Sequence, residues 1–478
     1  MKQAAPEPKK IIPIRAVPAD DVEAFFVEAS RKIYPRSVSG VFTRWRWIMV
    51  FVTQIVFYGL PWLEWGQRQA VLFDLGVRRF YVFGLVLYPQ DFIYLTGMLV
   101  IAAYSLFLFT AVAGRLWCGY ACPQTVYTEI FLWIEKKVEG DRTARMRLDD
   151  GAFSVRKVAR KALKHFLWLA LAFWTGFTFV GYFTPIKVLS LEFAQLDLSA
   201  WEIFWVSFYG FATYGNAGYM REMVCKHMCP YARFQSAMFD PDTLIVTYDT
   251  ERGEPRGARS KKADLTQLKL GACVDCSLCV QVCPTGIDIR KGLQYECIGC
   301  GACADVCDAV MDKLGYERGL VKYTTENALK KKWTRQQTWR HVFRPRILIY
   351  TGILSLILLA MIVSISLRTT FKVNVVRDRG VMARVVDGGK IENVYRLQVM
   401  NATEQEQRYR ITVRGLPNLS ITTEQEIVVA STEAVWVVVR VQAPPEVAQP
   451  GLYKIYFDID SLHTPGQLHE NSKFMVPS

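Results

Sequence analysis

The sequence predicts a multi-domain membrane protein: an α-helical bundle of five transmembrane spans, an inserted cysteine-rich α+β domain, and a C-terminal all-β sandwich. Five stretches of roughly 20 mainly apolar residues have the length a helix needs to cross about 30 Å of hydrocarbon. All twelve cysteines lie between Cys118 and Cys307. After the last apolar stretch, short alternating runs recur between turn residues, the pattern of half-buried strands.

Composition points the same way. At 478 residues, with 51% hydrophobic and 13% aromatic content, the chain is long enough for several domains and too apolar for an ordinary soluble protein. The formal net charge of +14 would suit nucleic acid, but the basic residues cluster beside the apolar stretches, as cytoplasmic loop charges do. A membrane partner is therefore expected and nucleic acid is not. Residues 1–43 lack an apolar core with a small-residue cleavage site, so the first span is expected as an uncleaved anchor. No cysteine follows Cys307, which argues against an extracytoplasmic disulfide framework.

Residues 44–239 read as a four-helix membrane domain with spans at about 47–63, 92–113, 166–183 and 201–219. Residues 345–368 hold the fifth, at about 347–367. Gly210, Gly215 and Gly218 weaken the fourth span as a helix, or let another helix approach closely. Arg31, Lys32, Arg36, Arg44 and Arg46 precede the first span, and a dense run of Lys and Arg from Lys136 to Lys161 follows the second. Both segments are assigned to the cytoplasm, which puts the N-terminus inside and the C-terminus outside a bacterial inner membrane. Residues 240–268 are polar and read as a linker, and 269–340 as the cysteine-rich domain on the cytoplasmic side. Its basic tail, KKKWTRQQTWRHVFRPR, reads as a juxtamembrane anchor to anionic headgroups. Residues 369–478, with runs such as YRLQVMN and AVWVVVRVQA, read as a periplasmic sandwich of immunoglobulin-like kind without its disulfide. It offers no dense ligand cluster and suits a docking role.

The cysteines give the class. CVDCSLCVQVCP, from Cys273, and CIGCGACADVC, from Cys297, both have the C-x2-C-x2-C-x3-C spacing that holds bacterial-type [4Fe-4S] clusters. Three thiolates on a tight turn cover three corners of a cubane, and the fourth comes from the other run. One cluster is thus assigned to Cys273, Cys276, Cys279 and Cys307, and the other to Cys297, Cys300, Cys303 and Cys283. Paired C-x2-C also serves structural zinc, but both blocks match every cluster spacing. The inserted domain is predicted as a bacterial-type 2[4Fe-4S] ferredoxin-like domain.

WCGYACP and VCKHMCP follow the second and fourth spans and make a weak internal repeat. After each, the chain reads as a short amphipathic helix along the interface. Proline disfavours helix at the residue before it and suits the first helical position, so Cys122 and Cys229 are expected as N-caps, where a thiol pKa falls. If the repeat is spatial as well, Cys118, Cys122, Cys225 and Cys229 converge. Met220, Met223, His227 and Met228 are nearby donors, with plain packing the commoner role. Arg115, Glu129, Glu135 and Arg221 flank the thiols as candidates for a quinone head or copper, against the simpler reading of solvated interface charges. His165, His227, His341, His463 and His469 all lie outside mid-span positions, and no C-x-x-C-H occurs. A transmembrane bis-His haem and a c-type haem are excluded, and the redox work is kept on one side. Asn401-Ala-Thr matches the glycosylation pattern, a weak signal in an architecture that looks bacterial.

Over almost its whole length this order of parts resembles the CcoG/FixG/RdxA family, with one departure, Asp308 after Cys307 where proline is usual. The resemblance implies an accessory factor for cbb3-type cytochrome c oxidase that reduces Cu(II) to Cu(I) for the oxidase copper site. Copper is then substrate or transient ligand, and the oxidase or its copper-delivery factors are partners. The electron donor stays unidentified and a homo-oligomer stays open. Soft thiolates select Cu(I), so Cys118, Cys122, Cys225 and Cys229 are the candidate catalytic and copper-ligating residues. The first four spans with the cysteine blocks also resemble the NapH type of quinol dehydrogenase. A non-enzymatic assembly scaffold or redox sensor is the third reading.

The topology predicts that alkaline phosphatase fused to the C-terminus is active in intact cells; an inactive fusion, with an active cytoplasmic reporter at the same position, would refute it.

Overall fold

The computed structural model describes residues 32–259, 269–378, 383–446, 449–463 and 466–477. The N-terminal segment through Arg31, and residues 260–268 of the expected linker, lie outside the described residues. The helices that organise the chain are α1 (Val41–Gly59), α2 (Phe92–Ala113), α3 (Pro123–Glu139), α4 (Val155–Val180), α5 (Ala200–Tyr214), α6 (Ala302–Leu314) and α7 (Pro345–Ser366).

Among the described residues three helices are long and apolar enough to cross a membrane: α2 with the turn before it from Pro89, α4 and α7. They turn large apolar side chains outward, with Ile93 73% and Leu356 66% exposed, the reverse of a water-soluble helix. The expected first and fourth spans are helical but fall short of that measure. α1 has 19 residues and opens with Arg44 and Arg46, while α5 has 15 and passes at Gly215 into a π-turn, Gly215–Met220. Glycine weakens the α-helix there, and a π-turn commonly marks a functional stretch.

Contacts at the two ends of the molecule fix α1, α2 and α7. At one end the inserted domain caps α1: the Asp305 carboxylate accepts from the Phe42 and Thr43 amides at 3.1 and 2.7 Å and from the Thr43 hydroxyl at 2.7 Å. Gly40 leaves the room for it, since a Cβ there would run into the Asp305 side chain. The same end holds the start of α7, where Arg344 donates to the carbonyls of Ala111 and Asp242 at 3.0 and 2.9 Å. At the other end Asp91, 3% exposed and just ahead of α2, pairs with Arg368 at 2.5 Å and with Lys372, both just beyond α7. α2 and α7 are therefore antiparallel and pinned at both ends. α4 and α5 pack through Gly176, which sits on the Val206 carbonyl and the Gly210 amide, a small-residue crossing of the kind membrane helices use.

The loop between α1 and α2, expected only as an outward connection, folds into a three-stranded antiparallel sheet, Val71–Asp74, Arg79–Val82 and Leu85–Leu87. Its buried Leu72, Tyr81, Val86 and Tyr88 pack on Met400 of the C-terminal domain, and the Tyr88 hydroxyl donates to the Asn401 carbonyl at 2.8 Å. That domain is an all-β sandwich. One sheet orders Ser420–Ile421, Ala434–Ala443, Ile391–Asn401 and Phe371–Arg377, and the other Glu426–Val429, Gln407–Arg414, Gly451–Ser461 and Gln467–Val476. The alternation read in YRLQVMN is the core face: Tyr395, Leu397 and Val399 are fully buried. Asn401 is also fully buried, with its amide donating to the carbonyls of Gln405 and Ala430 at 2.7 and 3.0 Å, so the Asn401-Ala-Thr pattern serves packing.

Part of the expected linker is not a linker. Ile245–Tyr248 pairs antiparallel with Val321–Thr324 and buries Val246 and Tyr248 in the core of the inserted domain, because LIVTY alternates like a strand.

Removing a helix cap costs about 0.5–2 kcal/mol. Asp305→Ala is therefore expected to lower the thermal midpoint and to make the inserted domain more readily cleaved by limited proteolysis, and Asp305→Asn to retain most of the native resistance. Equal resistance in both variants and the wild type would show that the cap does not hold the two parts together.

Candidate functional site

The inserted domain wraps two cysteine-lined cavities. Cys273, Cys276, Cys279 and Cys307 line one, and Cys283, Cys297, Cys300 and Cys303 line the other, with Cys279 reaching both. The backbone explains how each block turns so tightly. Asp275 and Ser277 flank Cys276 with φ of 49° and 55°, and Gly299 and Gly301 flank Cys300 with φ of 63° and 74°. Each central cysteine thus sits between two left-handed residues, met by glycine in the second block and by Asp and Ser in the first. After Cys283, Pro284 turns the chain away; after Cys307, Asp308 lets α6 run on to Leu314 and accepts from the Gly319 amide at 2.8 Å. The departure at Asp308 therefore lengthens a helix and leaves Cys307 in the cavity. Among the described residues no three His, Cys, Asp or Glu side chains stand close enough to hold a single ion. Four thiols around each cavity, at the C-x2-C-x2-C-x3-C spacing, suit a cubane iron-sulfur cluster.

The second group of thiols lies against this domain. Cys118 is on a short helix, Leu116–Tyr120, and Cys225 on a π-turn, Val224–Met228. Cys122 and Cys229 are the N-caps of α3 and of Pro230–Met238, each with proline at the first helical position. Burial, followed by the neighbouring Cys122, Cys118 and Cys229, pushes the Cys225 thiol up to about 12; burial and Cys122 push Cys118 up to about 11. The four thiols are thus brought within electrostatic reach of one another. The expectation that N-capping lowers the thiol pKa is corrected at Cys122. Burial raises it although the nearby Gln124 and Thr125 backbone amides oppose that rise. His227 and Met228 are exposed.

The contact between the two groups is close. A Cβ on Gly119 would lie 2.9 Å from the Ile298 carbonyl oxygen, 3.0 Å from Cys300 Cα and 3.0 Å from the Gly299 oxygen. Cys118 and Cys225 pack on the cluster of apolar residues that includes Ile298 and Cys300. Arg115 donates to the backbone carbonyls of Tyr295, Cys297 (3.4 Å) and Ala232, Tyr120 donates to the Cys300 carbonyl at 3.3 Å, and Tyr323 donates to the Gly299 carbonyl. Gln235, fully buried, places its side-chain amide 3.5 Å from Cys118 Sγ. Gly119, Gln235 and Tyr323 carried no signal in the sequence beyond Gly119 standing inside a cysteine motif.

The flanking charges are buried and paired, not solvated. Arg115, Glu135 and Arg221 are 6%, 1% and 8% exposed. Glu129 pairs with Arg46 at 2.6 Å, and Glu135 with Arg221 and Arg145 at 2.8 and 2.9 Å. Burial opposes ionisation of Glu135, yet the Arg221, Arg145 and Lys164 cations hold its carboxyl below the usual range.

Two thiol-lined cavities joined to a thiol-bearing bundle of membrane-length helices define an iron-sulfur electron-transfer protein of the membrane. Comparison with known proteins gives the family. A model described as a 4Fe-4S dicluster domain matches residues 220–326, a 4Fe-4S binding domain matches 94–139, and the IG-like fold at the C-terminus of FixG matches 361–477. The chain is 39% identical to the nitrogen fixation protein FixG of Rhizobium meliloti over 448 residues, 86% of this chain and 85% of the relative. It is 40% identical to protein RdxB of Cereibacter sphaeroides over 413 residues, 84% of this chain and 86% of the relative. The crystal structure of a FixG-related protein from Vibrio parahaemolyticus aligns at 27% identity and a TM-score of 0.21, covering 23% of this chain and 97% of that one. The chain belongs to the FixG/RdxA family, and two [4Fe-4S] clusters are its cofactors.

Gly119→Ala forces the Cys297–Cys300 loop away by a few tenths of an ångström. Electron transfer from reduced clusters to an acceptor at the thiol pairs is expected to slow measurably in stopped-flow experiments, with the cluster EPR signals unchanged. An unchanged rate would remove this contact from the electron path.

Proposed function

We propose that the chain is an iron-sulfur cupric reductase, converting Cu(II) to Cu(I) during assembly of cbb3-type cytochrome c oxidase. The observation that carries this reading is the seating of Gly119, between Cys118 and Cys122, on the Cys297–Cys300 loop. Cys273, Cys276, Cys279 and Cys307 would hold one [4Fe-4S] cluster, and Cys283, Cys297, Cys300 and Cys303 the other. Bound there, the clusters supply one-electron storage and transfer. The chain's own residues do the rest. Arg115, Tyr120 and Tyr323 fix the cage loop against the thiol-bearing turn through its carbonyls. Cys118, Cys122, Cys225 and Cys229 offer soft sulfur donors, and two thiolates suffice for linear Cu(I), so the lack of a three-donor site is no obstacle. Each Cu(II) takes one electron and leaves as Cu(I), retained or released according to thiol protonation.

Helices α2 and α7 run between the inserted domain's end of the molecule and the sandwich, and α1 starts on the inserted domain, which supports a membrane-spanning bundle with the clusters cytoplasmic and the sandwich periplasmic. On this reading the sandwich is the docking module for the oxidase or its copper-delivery factors.

Pre-reduced protein mixed anaerobically with Cu(II) is expected to form Cu(I) rapidly, as followed with a Cu(I)-specific chromophore. The variant with Ser at Cys118, Cys122, Cys225 and Cys229 should lose at least about tenfold in rate, about 1.4 kcal/mol, with both clusters intact by EPR. Equal rates would make copper reduction a nonspecific property of the clusters.

A further inference from the structure

A cavity of about 410 Å³ opens beside the thiol pairs, at the end of α4 nearest the inserted domain. That volume lies within the range of about 300–1,000 Å³ typical of ligand pockets. Lys32, Lys161, Lys164 and Arg221 line it. These cations share their carboxylate partners with Arg145. Glu135 takes Arg145 and Arg221 at 2.9 and 2.8 Å, Glu139 takes Lys161 and Lys164 at 3.0 Å each, and Asp149 takes Lys161 and Lys32 at 2.5 and 2.7 Å. Arg145 lies outside the lining, so four lining cations face these three carboxylates. The remaining acidic residue of the lining, Glu222, is pushed toward its neutral form by burial. The cavity offers donors and surplus positive charge, which suits an anionic ligand rich in acceptors.

Its level in the molecule narrows the choice. α4 is polar through Lys164 and apolar from Phe166, whose side chain is 67% exposed, so the cavity sits where the helix would leave the headgroup layer. Trp168 lies under Lys164 and Arg221 at 4.7 and 5.6 Å, and Tyr219, 63% exposed, stacks on His165 at the rim. An exposed Tyr at that depth is a usual interfacial anchor, while the buried Trp168 forms an aromatic wall of the cavity. Basic pockets between membrane helices on the cytoplasmic side bind anionic lipid headgroups.

We propose that this cavity binds the phosphodiester headgroup of an anionic phospholipid, held by Lys32, Lys161, Lys164 and Arg221. The proposal rests on α4 crossing a membrane. A quinone would satisfy the donors but leave the surplus charge unmet.

The test uses full-length protein, delipidated in detergent and examined by native mass spectrometry with added phosphatidylglycerol, phosphatidylcholine, inorganic phosphate or a short-chain quinone. One phosphatidylglycerol is expected to be retained at least about fivefold more tightly than phosphatidylcholine, and Lys161→Gln and Lys32→Gln are each expected to weaken it about fivefold. Lys330→Gln, at an exposed residue on α-helix Glu326–Lys330, is the control and should change nothing. Cluster absorbance verifies that each variant is folded. Equal retention of both lipids, or no loss in the two lining variants, overturns the proposal. Inorganic phosphate competing as well as the lipid would make this a free-anion site, and displacement by quinone an electron-donor site; either also overturns it. Release of the chain from membranes by alkaline carbonate would defeat the spanning reading itself, separately from the lipid result.

Discussion

Gly119 presses its Cα onto the backbone of Ile298, Gly299 and Cys300, a separation that leaves no room for a Cβ. Everything proposed for electron flow passes through this contact. It exists because the residues around it are committed to the same geometry. Gly299 and Gly301 give the cage loop its two left-handed bends, which aim the peptide carbonyls outward, and Arg115, Tyr120 and Tyr323 take those carbonyls as acceptors. Buried carbonyls left without donors would carry a desolvation cost of about 1–3 kcal/mol each, so the donors and the close approach sustain each other.

The contact is then protected by the way the two ends of the molecule are tied. Asp305 reaches from α6 to the first amides of α1, and Arg344 reaches from the start of α7 to the carbonyl of Ala111 near the end of α2. At the far end Asp91 holds two cations from beyond α7, and Tyr88 anchors the loop sheet to the sandwich. Breaking one partner of a buried ion pair costs about 3–5 kcal/mol because it strands the other charge. The inserted domain is thus fastened to helices whose other ends are fastened to the sandwich.

Much of this was legible in the chain. Cluster spacing is a local property, set by how few residues can wrap a cubane, so C-x2-C-x2-C-x3-C announces itself. The alternation in the sandwich and the apolar length of α2, α4 and α7 are equally local. What was not legible depends on contacts distant in sequence. The charges at Arg115, Glu135 and Arg221 looked like solvated interface groups because the Glu135–Arg221 pair spans 86 positions and Arg115 is held by backbone carbonyls. Ile245–Tyr248 looked like linker because its strand partner follows both cysteine blocks. The pKa of Cys122 went the other way because capping is visible in sequence and burial is not.

The two thiol pairs, alike in sequence, differ in the fold. Cys118 stands on a short helix whose turn is locked to the cage loop and whose sulfur meets the buried Gln235 amide. Cys225 stands on a π-turn, after Arg221 at a φ of 39° and beside exposed His227 and Met228. A resident cofactor is best held by one continuous, enclosed loop, as the cage cysteines are. A metal that must arrive in one oxidation state and depart in another needs a different arrangement, with one fixed donor pair at the electron source and one pair on backbone able to adjust. An α-helical geometry at both pairs would fix all four sulfurs, and a π-turn at one of them leaves its backbone hydrogen bonding less constrained. On the cupric-reductase reading proposed above, this asymmetry separates cargo handling from cofactor storage within a single set of twelve cysteines.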